Sequence, residues 1–493
     1  MAGIGFRLNR IFEKRTLTTN MVGFGYSAMV TIAPMIVVIG CLVLMEYLLG
    51  FSKIGYMERE LFSCTVLYIF IFSLLTASPF NAVLSRYMSD VIYEERYQDI
   101  LPCYYMGLLM NIILSCAVGI PFCLWEHFVG GVSVAYVFCG FCGYISLVFV
   151  FYSMLYLSIC KDYQKISIYF GIGMLVTFVL SLILRFVFQW GVTQSMLLAL
   201  TVGFFLIAVL EHSLIYRYFG ENSNRYGAVL SYFKKYWKLV AINFLYILGL
   251  YIHNFVFWTT DLRMTVVETF VCNQPYDMAS CLAMFTNLSA TVIFIARVEM
   301  HFHEKYKFYS EAVIGGRWSD ISNAKRRMFR QLAAELMNLV RIQFIISVVV
   351  YLICIVVLPQ SGFSGMIMKI YPCLAAGYFI LFLMYSAIIF LYYFDDLNGA
   401  LGTAVLFCTV TLIGSVIATH LPVIWYGSGV LEGAFVGWCV AYWRLRWVER
   451  HMDVHVFCRG TLISYGKGKM PSGMVYKREE PASDTQGKGV RET

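Results

Sequence analysis

Apolar runs of about 20 residues, the length that crosses a bilayer as a helix, recur along the whole chain between short polar segments. Twelve are distinguishable. Six fall in the first half, at 22–49, 61–84, 100–124, 132–160, 166–188 and 196–214. Six more follow at 239–258, 278–295, 336–358, 371–394, 400–418 and 423–443. None alternates at period two, as the strands of a membrane barrel would. The pattern predicts an all-α, polytopic membrane protein with about 12 transmembrane helices.

The polar segments divide the runs into two sets of six. The predicted organisation is a cytoplasmic interfacial helix (1–20), a first six-helix bundle (21–218), a cytoplasmic linker (219–238), a second six-helix bundle (239–446) and a cytoplasmic, mostly disordered tail (447–493). In each half a hydrophilic inner loop follows the second run, at 85–99 and, much larger, at 297–335. Two related bundles around a midplane cavity are a common transporter layout.

Composition agrees. Of 493 residues 60% are apolar and 13% charged, against roughly a quarter charged in soluble domains. Charge then sets sidedness, because basic residues concentrate in cytoplasmic loops. With the N-terminus inside, 32 of the 37 Lys and Arg residues fall on the inner side, so both termini are expected in the cytoplasm and the protein in the plasma (inner) membrane. The net charge of +8 is therefore mostly topogenic, and nucleic-acid binding is not expected. Ile4, Leu8, Ile11 and Phe12 share one face of the basic N-terminal segment, which reads as an interfacial helix on the inner leaflet. The Gly-, Ser-, Lys- and Glu-rich stretch after Arg459 cannot bury a core.

Chemistry-bearing motifs are scarce. The sequence contains no Walker loop, HExxH or G-x-S-x-G elbow, so no catalytic residue, cofactor or metal site is expected. The 15 cysteines mostly lie inside apolar runs, where a thiol behaves as a small hydrophobe. Ionisable groups within spans are candidates for a substrate path. Arg185 either contacts a passing substrate or snorkels to the outer interface. His253 and Asn254 either line a cavity or hydrogen-bond between helices. Glu46 and Glu432 either face a polar cavity or cap the outer interface. Asp395 and Asp396 occupy a tight inner turn, where one of them is expected to cap the following helix. Lys325, Arg326 and Arg327, in the large inner loop, suit either a protein partner or anionic lipid headgroups.

Several segments resemble, in order, the Pel exopolysaccharide transporter family (PelG). They are MAGIGFRL and YSAMVTIAP near the start, TASPFNAVLSRYMSDVIYEERYQDILP with Arg86, Asp90 and Tyr93, and the seventh span LYILGLYIHNFVFW. Tyr276–Asp277 opening the eighth span, VEMHFHEKYKFYSEAVIGG containing Glu299, Asp395 and DVHVFC complete the series. His253–Asn254 stands where the family commonly has an acid–base pair. The resemblance implies membership of the flippase superfamily of multidrug and lipid-linked oligosaccharide exporters. It further implies passage of an amino-sugar exopolysaccharide between two bundles, a cytosolic glycosyltransferase partner and other Pel membrane subunits. Arg86, Asp90, Glu299, Lys325, Arg326 and Arg327 are the expected docking positions. From the residues alone, an ion-coupled flippase or antiporter and, less favoured, a membrane glycosyltransferase or acyltransferase stand as alternatives.

Overall fold

The computed structural model describes residues 17–159, 163–293, 299–360 and 365–459. The predicted N-terminal interfacial helix lies almost wholly outside these residues, as does the tail beyond Arg459. Fourteen α-helices appear among the described residues. In the first half they are α1 (Leu17–Leu48), α2 (Tyr56–Tyr93), α3 (Ile100–Phe128), α4 (Val134–Ile159), α5 (Tyr163–Phe186) and α6 (Val192–Tyr218). The short α7 (Tyr226–Lys235) occupies the linker. Then come α8 (Trp237–Phe257), α9 (Gln274–Ile293), α10 (Glu299–Gly315), α11 (Trp318–Gln360), α12 (Gly365–Tyr393), α13 (Leu397–Ala418) and α14 (Ser428–Arg459).

Ten of these helices are long and apolar enough to span a membrane, and α1 adds a shorter apolar stretch, Ala33–Leu48. The protein is an all-α, multi-pass membrane protein. Residues up to Leu445 form one compact unit and those from Arg446 a second. Within the second, Arg446 donates to Glu449.

In a hydrocarbon solvent helices associate through close packing of small residues more than through hydrophobic burial. The α5–α6 crossing shows this. A Cβ on Gly203 would collide with Thr177 Oγ1 and stand 2.9 Å from the Gly173 carbonyl, one turn away on α5. On the other side of the molecule, Gly249 of α8 admits the Phe407 ring of α13. Helices of the first half pack mainly on one another, with α4 against α2, α3 and α6, and α5 against α1 and α6. Those of the second half do likewise, with α8 on α13, α9 on α12 and α10 on α11. The halves meet chiefly where α2 packs against α8, and also where α1 meets α9.

Two segments differ from a plain reading of the polar stretches. The large hydrophilic loop at 297–335 is largely helical: α10 and the first turns of α11 form a helical hairpin, and α11, 43 residues in all, continues into the apolar run that follows. Its apolar positions explain this. Phe302 packs against Phe390, Tyr393 and Phe394, and Phe329 stacks on Phe394, so the hairpin is seated on the C-terminal end of α12. Between α8 and α9 the chain forms an antiparallel hairpin of β1 (Met264–Val266) and β2 (Phe270–Cys272), with Val266 opposite Phe270. The alternation of Val266, Phe270 and Cys272 as buried positions carries the period of two expected of a half-buried strand.

Gly203→Leu is expected to lower stability by about 1–3 kcal/mol through overpacking. Thermal unfolding of the detergent-purified protein checks this, and an unchanged midpoint would show that α5 and α6 do not pack this closely.

Candidate functional site

The contact between α2 and α8 is the natural place to look for a transport path, because it joins the halves over most of its length. The two helices run antiparallel, so successive residues of one meet preceding residues of the other. Tyr68 stacks on Trp258 at 5.1 Å and Phe72 on Phe255 at 6.1 Å. Further along, Asn243 Nδ2 donates to the Ser78 carbonyl at 3.3 Å. The line ends at Arg86, whose guanidinium lies 4.4 Å from the centre of the Tyr236 ring and donates from Nη1 to Asp395 Oδ1 at 2.6 Å.

That last pair spans 309 positions of sequence. Asp395 reaches it from the turn between α12 and α13, where its φ of 54° places it in the left-handed region. An aspartate tolerates this conformation better than most residues. Its neighbour does something different. The Asp396 side chain, only 3% exposed, accepts from the Gly399 amide at 3.3 Å, capping α13, and accepts from Arg444 Nη2 at 3.0 Å and from Arg444 Nε. The expectation that one of the two acids caps the helix therefore applies to Asp396, while Asp395 ties the halves together.

The linker helix α7 sits against the same inner end. Tyr232 donates to the Asp90 carboxylate and its ring meets Tyr87 at 5.2 Å. Burial, reinforced by the Asp90 charge, pushes the Tyr232 hydroxyl well above the usual phenol range. Tyr232 therefore remains a donor at any physiological pH. Within the second half, Lys238 at the start of α8 donates to Asn398 Oδ1 at the start of α13 at 2.6 Å.

His253 and Asn254 lie deep in the second half. The His253 side chain is fully buried, with Nδ1 2.8 Å from the Tyr276 hydroxyl and Nε2 3.3 Å from the Tyr378 hydroxyl, which in turn meets Ser280 at 2.9 Å. Asn254 Nδ2 donates to Asp277 Oδ1 at 2.7 Å, and the same carboxylate receives Trp258 Nε1 at 3.0 Å and the Asn273 amide at 3.0 Å. Asn254 Oδ1 has no partner among the described residues. This geometry is that of a polar lock between α8, α9 and α12.

The remaining candidates are dispersed. Arg185 donates from Nη1 to the Trp190 carbonyl at 2.9 Å, closing the end of its own helix. Glu46 is half-buried on α1, and Glu432 is exposed on α14 near Gly414. Glu299 opens α10; Lys325 is half-buried and Arg326 and Arg327 are exposed on α11.

Sequence reasoning missed two acids of the first half. Among the described residues, Glu211 on α6 is 0% exposed with neither carboxylate oxygen partnered, and Glu126 on α3 is buried with Oε1 unpartnered. Their signal was a single Glu within an apolar run. Glu126 lines an otherwise mostly apolar cavity of ≈ 280 Å³ with Tyr68, Phe72, Phe122, Tyr144 and Phe270. Among the described residues no group of three or more side chains is placed to hold a metal ion.

The two adjacent acids should respond differently to substitution. Asp396→Ala removes a cap and strands a largely buried arginine, at a cost of about 3 kcal/mol or more. Asp395→Ala breaks a solvent-facing pair worth roughly 0.2–1 kcal/mol. Thermal unfolding of both variants checks this, and equal midpoints would contradict the assignment.

Comparison with known proteins adds a family and a fold. The family model for "PelG: Putative exopolysaccharide Exporter (EPS-E)" matches residues 1–457. No curated protein matches by sequence. Among solved structures, the chain is similar to a point mutant of the Vibrio cholerae MATE transporter VcmN. The TM-score is 0.59 at 12% identity, covering 88% of this chain and 97% of that one. A multidrug resistance MATE family transporter of the MOP superfamily in its outward-facing conformation gives 0.56 at 13% identity, covering 86% and 96%. A MOP superfamily transporter from Pyrococcus furiosus, described as having a binding pocket of reversed polarity, gives 0.55 at 14% identity, with the same coverage.

Proposed function

The chain belongs to the PelG family of exopolysaccharide exporters, and from that premise we propose that it moves a growing amino-sugar exopolysaccharide outward between two helical bundles. A cytosolic glycosyltransferase supplies the polymer, other Pel membrane subunits accompany the exporter, and the chain itself performs no catalysis. The observation that carries this reading is the α2–α8 contact, which joins the halves through a row of aromatic rings and a terminal ion pair. Separation along that line opens a path flanked by ring faces and hydroxyl groups. Sugar rings present apolar faces and hydroxyls together, so such a surface suits them.

The distribution of basic residues supports cytoplasmic termini, with α7, Arg86 and Asp395 on the inner side and the β-hairpin on the outer side. Arg86–Asp395 is then an inner latch, and Asp90 steadies it through Tyr232. With these two groups engaged within the chain, the exposed Arg326 and Arg327, with Lys325 beside them, form the surface for the glycosyltransferase. A second reading, an ion-coupled flippase or antiporter, draws support from Glu126 and Glu211, since a buried carboxyl without partners in hydrocarbon is a functional candidate.

A strain lacking the gene is expected to lose surface polymer while its cytosolic extract retains synthase activity. Lost extract activity would indicate a synthase subunit, and unchanged surface polymer would exclude this exporter role. Export that stops on collapsing the ion gradient, with polymer synthesis maintained, would favour the ion-coupled reading. Reversing the charges of Lys325, Arg326 and Arg327 together is expected to abolish co-purification with the glycosyltransferase. An intact complex would remove that surface from consideration.

A further inference from the structure

The outer hairpin meets α2 through two residues one helical turn apart. Tyr68 donates to the Val271 carbonyl at 2.8 Å and receives the Val271 amide at 3.0 Å. One turn earlier, Cys64 Sγ lies 3.4 Å from Cys272 Sγ. The i and i+4 spacing puts Cys64 and Tyr68 on one helix face, and both meet the adjacent residues Val271 and Cys272 of β2. The two thiols are buried with Val266 and Phe270 in a cluster that includes parts of Leu61, Leu67 and Phe122. They join segments 208 positions apart, one in each half of the chain.

We propose that Cys64 and Cys272 are a disulfide-forming pair whose oxidation locks the outer side closed. A disulfide holds its sulfurs about 2.05 Å apart, so the thiols need approach by little more than an ångström, which side-chain rotation supplies. The outer side is where disulfides form and persist. Burial protects the docked thiols, so reaction begins when the hairpin lifts from α2 and admits water. One thiol then loses its proton and attacks the disulfide of an oxidised protein or small molecule, giving a mixed disulfide and one free thiolate of the oxidant. Re-docking brings the second cysteine, as thiolate, onto the mixed-disulfide sulfur. The Cys64–Cys272 bond forms and the oxidant leaves as a dithiol, having taken up both electrons. The reduced chain opens freely and the oxidised chain does not. The consequence for export rests on the function proposed above, but the crosslink itself does not.

The test uses the full chain in cells, with a protease site inserted between Gly220 and Asn224 in the connection before α7. After diamide treatment, alkylation of free thiols and cleavage, the two fragments are expected to co-migrate without reductant and separate with it. Cys64→Ser and Cys272→Ser should each give separated fragments throughout, with Cys64→Ala as a second variant if serine lowers membrane abundance. Diamide should reduce surface polymer at least fivefold in the wild type and leave the variants unaffected. Fragments that separate without reductant after diamide would overturn the pair, and co-migration with undiminished export would overturn the lock. A chain that crosslinks as expected while its deletion leaves surface polymer unchanged would instead sink the export reading.

Discussion

Hydrocarbon offers no hydrogen-bond partners, so a polar group placed between these helices is stabilised only by another part of the chain. That constraint organises the structure. Polar contacts become the fixed points at which distant segments are tied, and the apolar surface between them is free to slide. Toward the C-terminal end of α2 the fixed points are Arg86 with Asp395 and Tyr232 with Asp90. Toward its N-terminal end Tyr68 holds the backbone of Val271. Between them lie stacked rings, whose interaction is weakly directional. A contact built this way is pinned at both ends and once between them, where Asn243 donates to the Ser78 carbonyl.

The second half is held differently. The Asp277 carboxylate gathers Asn254, Trp258 and the Asn273 amide, while His253 is shared between Tyr276 and Tyr378. Three helices meet at these two clusters, and none can shift alone without stranding a buried polar group. Among the described residues of the first half, Glu211 is buried with both carboxylate oxygens unpartnered and Glu126 with Oε1 unpartnered. Buried polar atoms without partners among the described residues occur in the second half as well, at Asn254 Oδ1, Thr411, Ser415 and Ser428.

Much of the architecture was legible in the sequence, because hydropathy over 20 residues is a strong signal and depends on nothing distant. The helices from α2 to α6 and from α11 to α14 follow directly from it. So did the cap at the α12–α13 turn, since an Asp before a helix start acts locally. The partners were not legible. Nothing near Arg86 points to Asp395, and nothing in the seventh span reveals that Asn254 would meet Asp277, although both stood out individually. A buried polar residue in a membrane protein has several possible partners on neighbouring helices, and only packing selects one. The β-hairpin was missed for another reason: three-residue strands are too short for alternation to rise above the surrounding apolar background. Arg185 is a further case of an illegible partner: its guanidinium donates to a carbonyl five residues on.

The length of α11 has a mechanical consequence. An uninterrupted helix of 43 residues extends ~64 Å at 1.5 Å per residue, and less than half of it belongs to the hydrophilic hairpin. It is therefore a lever with its fulcrum near the membrane surface. A load applied at the hairpin tip exerts a torque on the other arm of the helix instead of being absorbed in a flexible loop. Because Phe302 and Phe329 clamp the hairpin to the end of α12, that torque acts on two helices at once.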